Sequence, residues 1–107
     1  MTETPNLIYI KELAAGSEDF EQKLIQIVKR EFPEEKEEFL NNYKQQVFSK
    51  AAENVHKLKN KIGMMGFEEG YQVTIDFEEE LKGNNPTLYP EFMLILDSIE
   101  HFLQTLQ

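Results

Sequence analysis

Apolar residues recur three and four positions apart along almost the whole of this chain, and no strand-like alternation competes with that spacing. Phe92, Ile95, Leu96, Ile99, Phe102, Leu103 and Leu106 form the most regular stripe. Phe20, Leu24, Ile27, Val28 and Phe32 form another, which Phe39, Leu40, Tyr43 and Val47 continue, and Tyr71, Val73, Thr74, Phe77 and Leu81 a third. This spacing gathers side chains on one face of an α-helix and scatters them over both faces of a strand. The chain is therefore expected to be all-α.

Punctuation residues divide the stripes. Leu7 to Ala14 reads as a short helix closed by Gly16, a residue suited to the left-handed backbone that follows a helix. Ser17 can cap the next helix, and Glu18 and Asp19 suit its positive end. Pro33 is expected to kink or break that second helix, with Glu34 and Glu35 fitting a fresh first turn. Ser49 can cap a third helix running to about Gly66 or Phe67, and Gly83-Asn84-Asn85-Pro86 is the clearest loop. Long helices joined by short connections run antiparallel, so the expected architecture is an antiparallel up-down four-helix bundle preceded by a short helix, one domain over 1–107.

Composition removes whole classes of function. With 107 residues there is room for one core but not for a core and a roomy catalytic cleft. The chain has no cysteine, which excludes disulfides and thiolate metal sites. Met-Thr-Glu-Thr-Pro lacks the features of a signal peptide and no apolar run approaches the length of a membrane span, so a cytoplasmic, soluble monomer is expected. A net charge of -9 argues against nucleic acid and anionic lipid as partners. The charge is uneven, however. From Lys44 to Lys61 five lysines meet one acid, Glu53, giving +4 there and -13 elsewhere. Three of those lysines follow His56 within five residues and predict a local anion-attracting field.

His56 breaks the pattern of its own helix. Wound at ~100° per residue, Phe48, Ala51, Val55, Leu58, Ile62 and Met65 share an apolar face. His56 points away from it, with Asn60 one turn on, Gly63 two turns on and Phe67 three turns on, while Lys59 lies between that stripe and the core. The reading is an exposed imidazole, a cation one turn later, and a bare backbone patch. Glycine inside a helix costs about 1 kcal/mol relative to alanine. Either a neighbouring helix approaches closely at Gly63 or a partner docks there, and its position on the His56 side favours a partner. Met64 and Phe67 then supply an apolar rim around the charged centre, unless Phe67 tucks under the next helix.

Most site chemistry has no signature here. The serines lack a glycine-flanked elbow, His101 borders solvent in the last helix, and no glycine-rich loop cradles a phosphate. Acid runs such as Glu34-Glu35 and Glu78-Glu79-Glu80 read as solvated helix faces. Glu53-Asn-Val-His56 has the spacing of a di-iron ligand motif, but such a site needs two of these plus two inward glutamates, and this one points outward. What remains is a phosphoryl carrier. A neutral imidazole has a free lone pair near pH 7 and attacks phosphorus without a general base. A cation at i+3 can stabilise the charge spread over the phosphoryl oxygens, which is the role expected of Lys59.

The run His56-Lys-Leu-Lys59-Asn-Lys-Ile-Gly63-Met-Met-Gly66 resembles the phosphorylation motif of histidine-containing phosphotransfer (HPt) domains, usually His-x-Leu-Lys-Gly followed by small residues and a later glycine. The likeness extends to the short first helix ending at Gly16, to the spacing from Phe20 to Phe48, and to Val73, Phe77 and Glu78 at apolar, apolar and acidic positions. Three positions depart from it: Asn60 for the usual glycine, Lys61 for a small residue, and Gly70 for a bulky one, which bears on the start of the next helix. The resemblance implies a phosphorelay intermediate that accepts a phosphoryl group on His56, at Nε2, from the phospho-aspartate of a receiver domain and passes it to another. Receivers of response regulators or hybrid kinases would dock over Asn60, Gly63, Met64 and Phe67. Any Mg²⁺ would belong to the receiver, so no cofactor and no catalytic pocket are implied, and with Met1 first and no kinase segment a free-standing shuttle is expected. The rival expectation is a helical adaptor that binds a signalling partner without being phosphorylated.

Overall fold

A computed structural model describes residues 3–106. Met1, Thr2 and Gln107, part of the expected 1–107 domain, lie outside the described residues. Among the described residues five helices follow one another: α1 (Ile8–Ala14), α2 (Glu18–Lys44), α3 (Phe48–Met64), α4 (Glu69–Lys82) and α5 (Tyr89–Thr105). There is no strand among the described residues. Helices α2 to α5 are joined by three, four and six residues. Such short links reverse the chain, and contacts of α2 with α3, α3 with α4, α4 with α5 and α5 with α2 close the ring. Helix α1 packs on α2. The 27 residues of α2 rise about 40 Å at 1.5 Å each and account for the 43 Å long axis.

Each helix contributes its apolar stripe to one core. Phe32 and Phe39 of α2, Leu58 and Ile62 of α3, Phe77 of α4 and Phe92 of α5 are fully buried. Phe77 packs 4.9 Å from Phe92 and 6.0 Å from Phe39, and Tyr43 stacks on Tyr89 at 4.1 Å, which ties α2, α4 and α5 together at one end. Burying a large apolar side chain contributes ~1.5–3 kcal/mol, so these rings hold the frame on which α3 presents its outer face.

The helix ends refine the sequence reading. Ser17 Oγ accepts the Phe20 N–H at 3.2 Å, as its capping role requires. Pro33 does not break α2, which runs through it from Glu18 to Lys44. The buried side chains of Phe32 and Phe39 on either side hold both halves to the same core, and that packing outweighs the hydrogen bond a proline removes. Ser49 is not the cap of α3: the helix begins at Phe48 with Val47 at the cap position and no side-chain cap bond. Helix α3 ends at Met64, earlier than expected, because Gly66 takes a left-handed φ of +87° in the turn. Helix α4 starts at Glu69 despite Gly70, whose missing side chain is replaced by the Phe67 ring; a Cβ on Gly70 would lie 2.8 Å from it. At the expected loop, Glu80 turns back to accept the Thr87 and Leu88 N–H groups, each at 2.8 Å, and so organises the entry to α5.

Candidate functional site

The outer face of α3 and the adjoining face of α4 bring four ionisable side chains together. The His56 side chain is 63% exposed, and its Nδ1 lies 3.3 Å from Glu78 Oε2. Lys59 Nζ donates to the other oxygen of the same carboxylate at 3.3 Å, and Lys82 Nζ lies 3.4 Å from Oε2. Glu78 is itself buried, with a side chain only 10% exposed. It follows Thr74 by one turn and neighbours Phe77, so it leaves the core edge aimed at α3 rather than at water. Burial pushes its carboxyl up, but the Lys59 hydrogen bond and charge, joined by Lys82 and His56, hold it below the ordinary carboxylate range.

This carboxylate selects the tautomer of His56. Lys59 Nζ also approaches Nδ1 at 3.4 Å and has three N–H groups to donate, but an unprotonated Nδ1 would hold its lone pair against the Glu78 carboxylate at 3.3 Å. An ionised carboxylate accepts only, so Nδ1 carries the proton and donates it to Oε2. The lone pair is left on Nε2, on a ring that projects into solvent. Which ring nitrogen keeps a free lone pair is thereby set by a side chain 22 positions away in sequence.

The lysines divide into two kinds. Lys57 is exposed beside His56, and Lys59 and Lys82 bracket Glu78. Lys61 does not contribute to the expected anion-attracting field. It turns beneath α3 to Glu31 at 2.9 Å and Glu35 at 3.2 Å, and is buried. Its four-carbon stem spans the gap to α2, where a small residue would leave Glu35 without this partner. Glu53 is exposed, and no group of three or more His, Asp or Glu among the described residues is placed to hold a metal ion. His101 is exposed on α5, away from this constellation.

Two open grooves flank His56. One, about 560 Å³, is walled by Ser49, Glu53, Lys57, Glu78 and Lys82, with His56 at its edge. The other, about 610 Å³, is lined by Asn60, Gly63, Met64 and Phe67 together with Tyr9 and Leu13 of α1 and Glu68 and Tyr71 at the start of α4. All four residues expected around the histidine thus border one groove, but two differ from expectation. Phe67 is not an exposed rim residue: it is 3% exposed and packs inward over Gly70 because the chain turns there from α3 into α4. Gly63 is not a bare patch either. The Tyr71 ring lies across it, 3.1 Å from where a Cβ would be, so the glycine makes room for a close approach of α4. The apolar rim is instead built by Met64, Tyr71, Tyr9 and Leu13, the last two each 46% exposed.

Glu78, Lys82, Tyr9, Leu13 and Tyr71 were absent from the sequence-derived site. For Glu78 a signal existed: Thr74, Phe77, Glu78 and Leu81 fall at helical spacing on one face, which marks Glu78 as inward and Glu79 as outward. Lys82 follows Glu78 at i+4, the pairing distance on a helix. The α1 residues had no such signal, since their meeting with α3 depends on tertiary packing.

Comparison with known families adds an independent finding. The chain matches the model of the Hpt domain over residues 23–107. No curated protein and no solved structure matches it.

Proposed function

Since this chain belongs to the Hpt domain family, we propose that it is a phosphorelay intermediate in which His56 accepts a phosphoryl group from the phospho-aspartate of one receiver domain and passes it to the aspartate of another. Hpt domains act in histidine phosphotransfer with receiver domains, as phosphocarriers rather than as classical enzymes. The observation that carries the assignment to His56 is its pairing with Glu78: an exposed imidazole whose Nδ1–H is held by a buried carboxylate.

The chemistry follows from that pairing. The Nε2 lone pair attacks phosphorus, the bond from phosphorus to the aspartyl oxygen breaks, and the receiver regains a free carboxylate. The N–P bond places positive charge on the ring, which the Nδ1–H···Oε2 bond to Glu78 stabilises as it develops. Lys59 and Lys82 offset the charge of Glu78, so that the incoming phosphoryl group does not meet a net negative site. Transfer onward is the same sequence reversed on a second aspartate. A receiver enters over the groove of Asn60, Gly63 and Met64, meeting the exposed Tyr9 and Leu13, with Asn60 at the end nearest the histidine. Phe67 supports that groove from below. An apolar rim around a charged centre suits a brief encounter between carrier and receiver.

The test is transfer of labelled phosphoryl group from phosphorylated receiver domains to the wild-type protein and to His56→Gln. An acid-labile label on the wild type alone is expected. A receiver that binds the groove but leaves no label on either protein would favour the unphosphorylated adaptor.

A further inference from the structure

The first turn of α4 is held by a residue from the opposite end of the sequence. Glu3 Oε2 accepts the backbone N–H groups of Glu68 and Glu69, each at 2.9 Å, and Oε1 accepts that of Gly70 at 2.8 Å. Helix α4 has no cap from its own side chains. Burial pushes the Glu3 carboxyl up, but these three N–H groups more than offset it and hold the carboxyl below its ordinary value. A charged carboxylate therefore sits at the positive end of the helix at neutral pH. Three residues on, the Asn6 N–H donates to the Met65 carbonyl at 2.8 Å. The Asn6 side chain covers Gly66 so closely that a Cβ there would lie 2.5 Å from it. The segment before α1 is thus clasped to the turn between α3 and α4.

That turn and the start of α4 form one wall of the apolar groove, contributing Phe67, Glu68 and Tyr71, while Tyr9 and Leu13 of α1 form the other. The clasp ties the two walls together and sets the distance between them. Its two N-terminal members, Glu3 and Asn6, precede residue 23, where the match to the Hpt domain begins, while residues 65–70 that they hold lie within it. Glu78 is about 12 Å further along α4 than Gly70, at 1.5 Å per residue, and has its own anchors in His56 and Lys59.

We propose that Glu3 is a positioning residue for the docking groove: by tying the start of α4 to the segment that carries α1, it sets how tightly receivers engage without acting on the chemistry at His56. The inference rests on the reading of this groove as the receiver-docking surface.

The experiment compares wild-type protein, Glu3→Ala and Glu3→Gln in two assays. One is transfer from a phosphorylated receiver as a function of its concentration; the other is phosphorylation by phosphoramidate, a donor too small to use the groove. Amide NMR reports whether the Glu68, Glu69 and Gly70 N–H groups have lost their acceptor. Loss of a helix cap predicts that Glu3→Ala raises the receiver concentration for half-maximal transfer roughly fivefold. The maximal rate and the phosphoramidate rate should stay within about twofold of wild type, both being set at His56. Glu3→Gln, which keeps one acceptor oxygen but no charge, should fall between. Unchanged concentration dependence in Glu3→Ala, with the cap amides demonstrably released, overturns the inference alone. So does an equal loss with phosphoramidate, which would place the effect at the histidine or in the whole fold. Wild-type protein that neither binds a receiver nor takes its phosphoryl group overturns the proposed function, and this inference with it.

Discussion

Replacing Glu78 by alanine should damage stability and transfer together, by amounts that the geometry bounds. The substitution removes the acceptor of His56 Nδ1, of Lys59 and of Lys82 in one step. Lys82 is half exposed, and its pairing contributes little. Lys59 is only 18% exposed and loses its carboxylate partner, a hydrogen bond of the charged kind worth about 1.5–3 kcal/mol. For a domain of this size each kcal/mol moves the melting temperature by about 4–8 °C, so a fall on the order of 10 °C is expected. The effect on transfer arises separately. Without the carboxylate the neutral ring is free to protonate at Nε2, and the positive charge that develops during attack loses its acceptor. If most of one charged hydrogen bond is felt in the transition state, the rate falls about 10–100-fold. Glu78→Gln retains an acceptor oxygen without the charge and should lie between alanine and wild type. Rapid-quench transfer from a phosphorylated receiver measures the rate, and ¹⁵N chemical shifts of the His56 ring report the tautomer. A folded Glu78→Ala protein that transfers within twofold of wild type, with Nδ1 still protonated, would refute the reasoning.

Further outcomes follow from the same contacts. Lys59→Ala should lower the transfer rate, read by rapid quench, and leave the helical circular dichroism unchanged, because the side chain acts on the charge around His56 rather than on the core; equal rates would remove it from the chemistry and leave it only as the partner of Glu78. Lys61→Ala should cost about 1–3 kcal/mol in urea unfolding by leaving Glu35 without its partner, while transfer by the folded protein stays at the wild-type rate. Gly63→Arg should weaken receiver binding, measured by titration, since bulk at this position must displace the Tyr71 ring that lies 3.1 Å away, and the folded variant should still accept phosphoryl groups from phosphoramidate. Stability should also depend on pH. Glu78, and Glu80 at the entry to α5, are held below their ordinary value of 4.5 although burial alone would raise them, Glu78 by Lys59 and Glu80 by its bonds to Thr87 and Leu88. Their contribution is therefore complete above pH ~4.5 and disappears as pH falls through their lower folded values, so the urea midpoint should drop between pH 5 and 3. Glu78→Gln should show a shallower drop.

The periodicity of apolar residues carried most of the fold, because helix stripes that face one core leave a direct record in spacing. It also placed His56 on the exposed side of α3 and Lys59 between that side and the core, since both depart from the α3 stripe. The residues it misplaced are those whose position depends on another helix. Phe67 falls on the histidine side of a continued α3, but the helix ends at Met64 and the chain turns, which carries the ring into the core. Lys61 reads as one more surface cation until α2 presents Glu31 and Glu35 to it. Pro33 signals a kink or a break, and the flanking phenylalanines hold α2 continuous through it. Glu78 reads as part of an acidic run, and only the packing of α4 against α3 turns it toward the imidazole. Long-range partners such as Glu3 with the start of α4 leave no trace in local pattern at all.

The most direct test of the account is to locate the phosphoryl group itself. The ¹⁵N-labelled protein, phosphorylated by a receiver domain and kept at alkaline pH, should show a single phosphohistidine at His56, with the phosphorus coupled to Nε2 and Nδ1 still protonated toward Glu78. Phosphorus on Nδ1, on His101 or on any other side chain would contradict it.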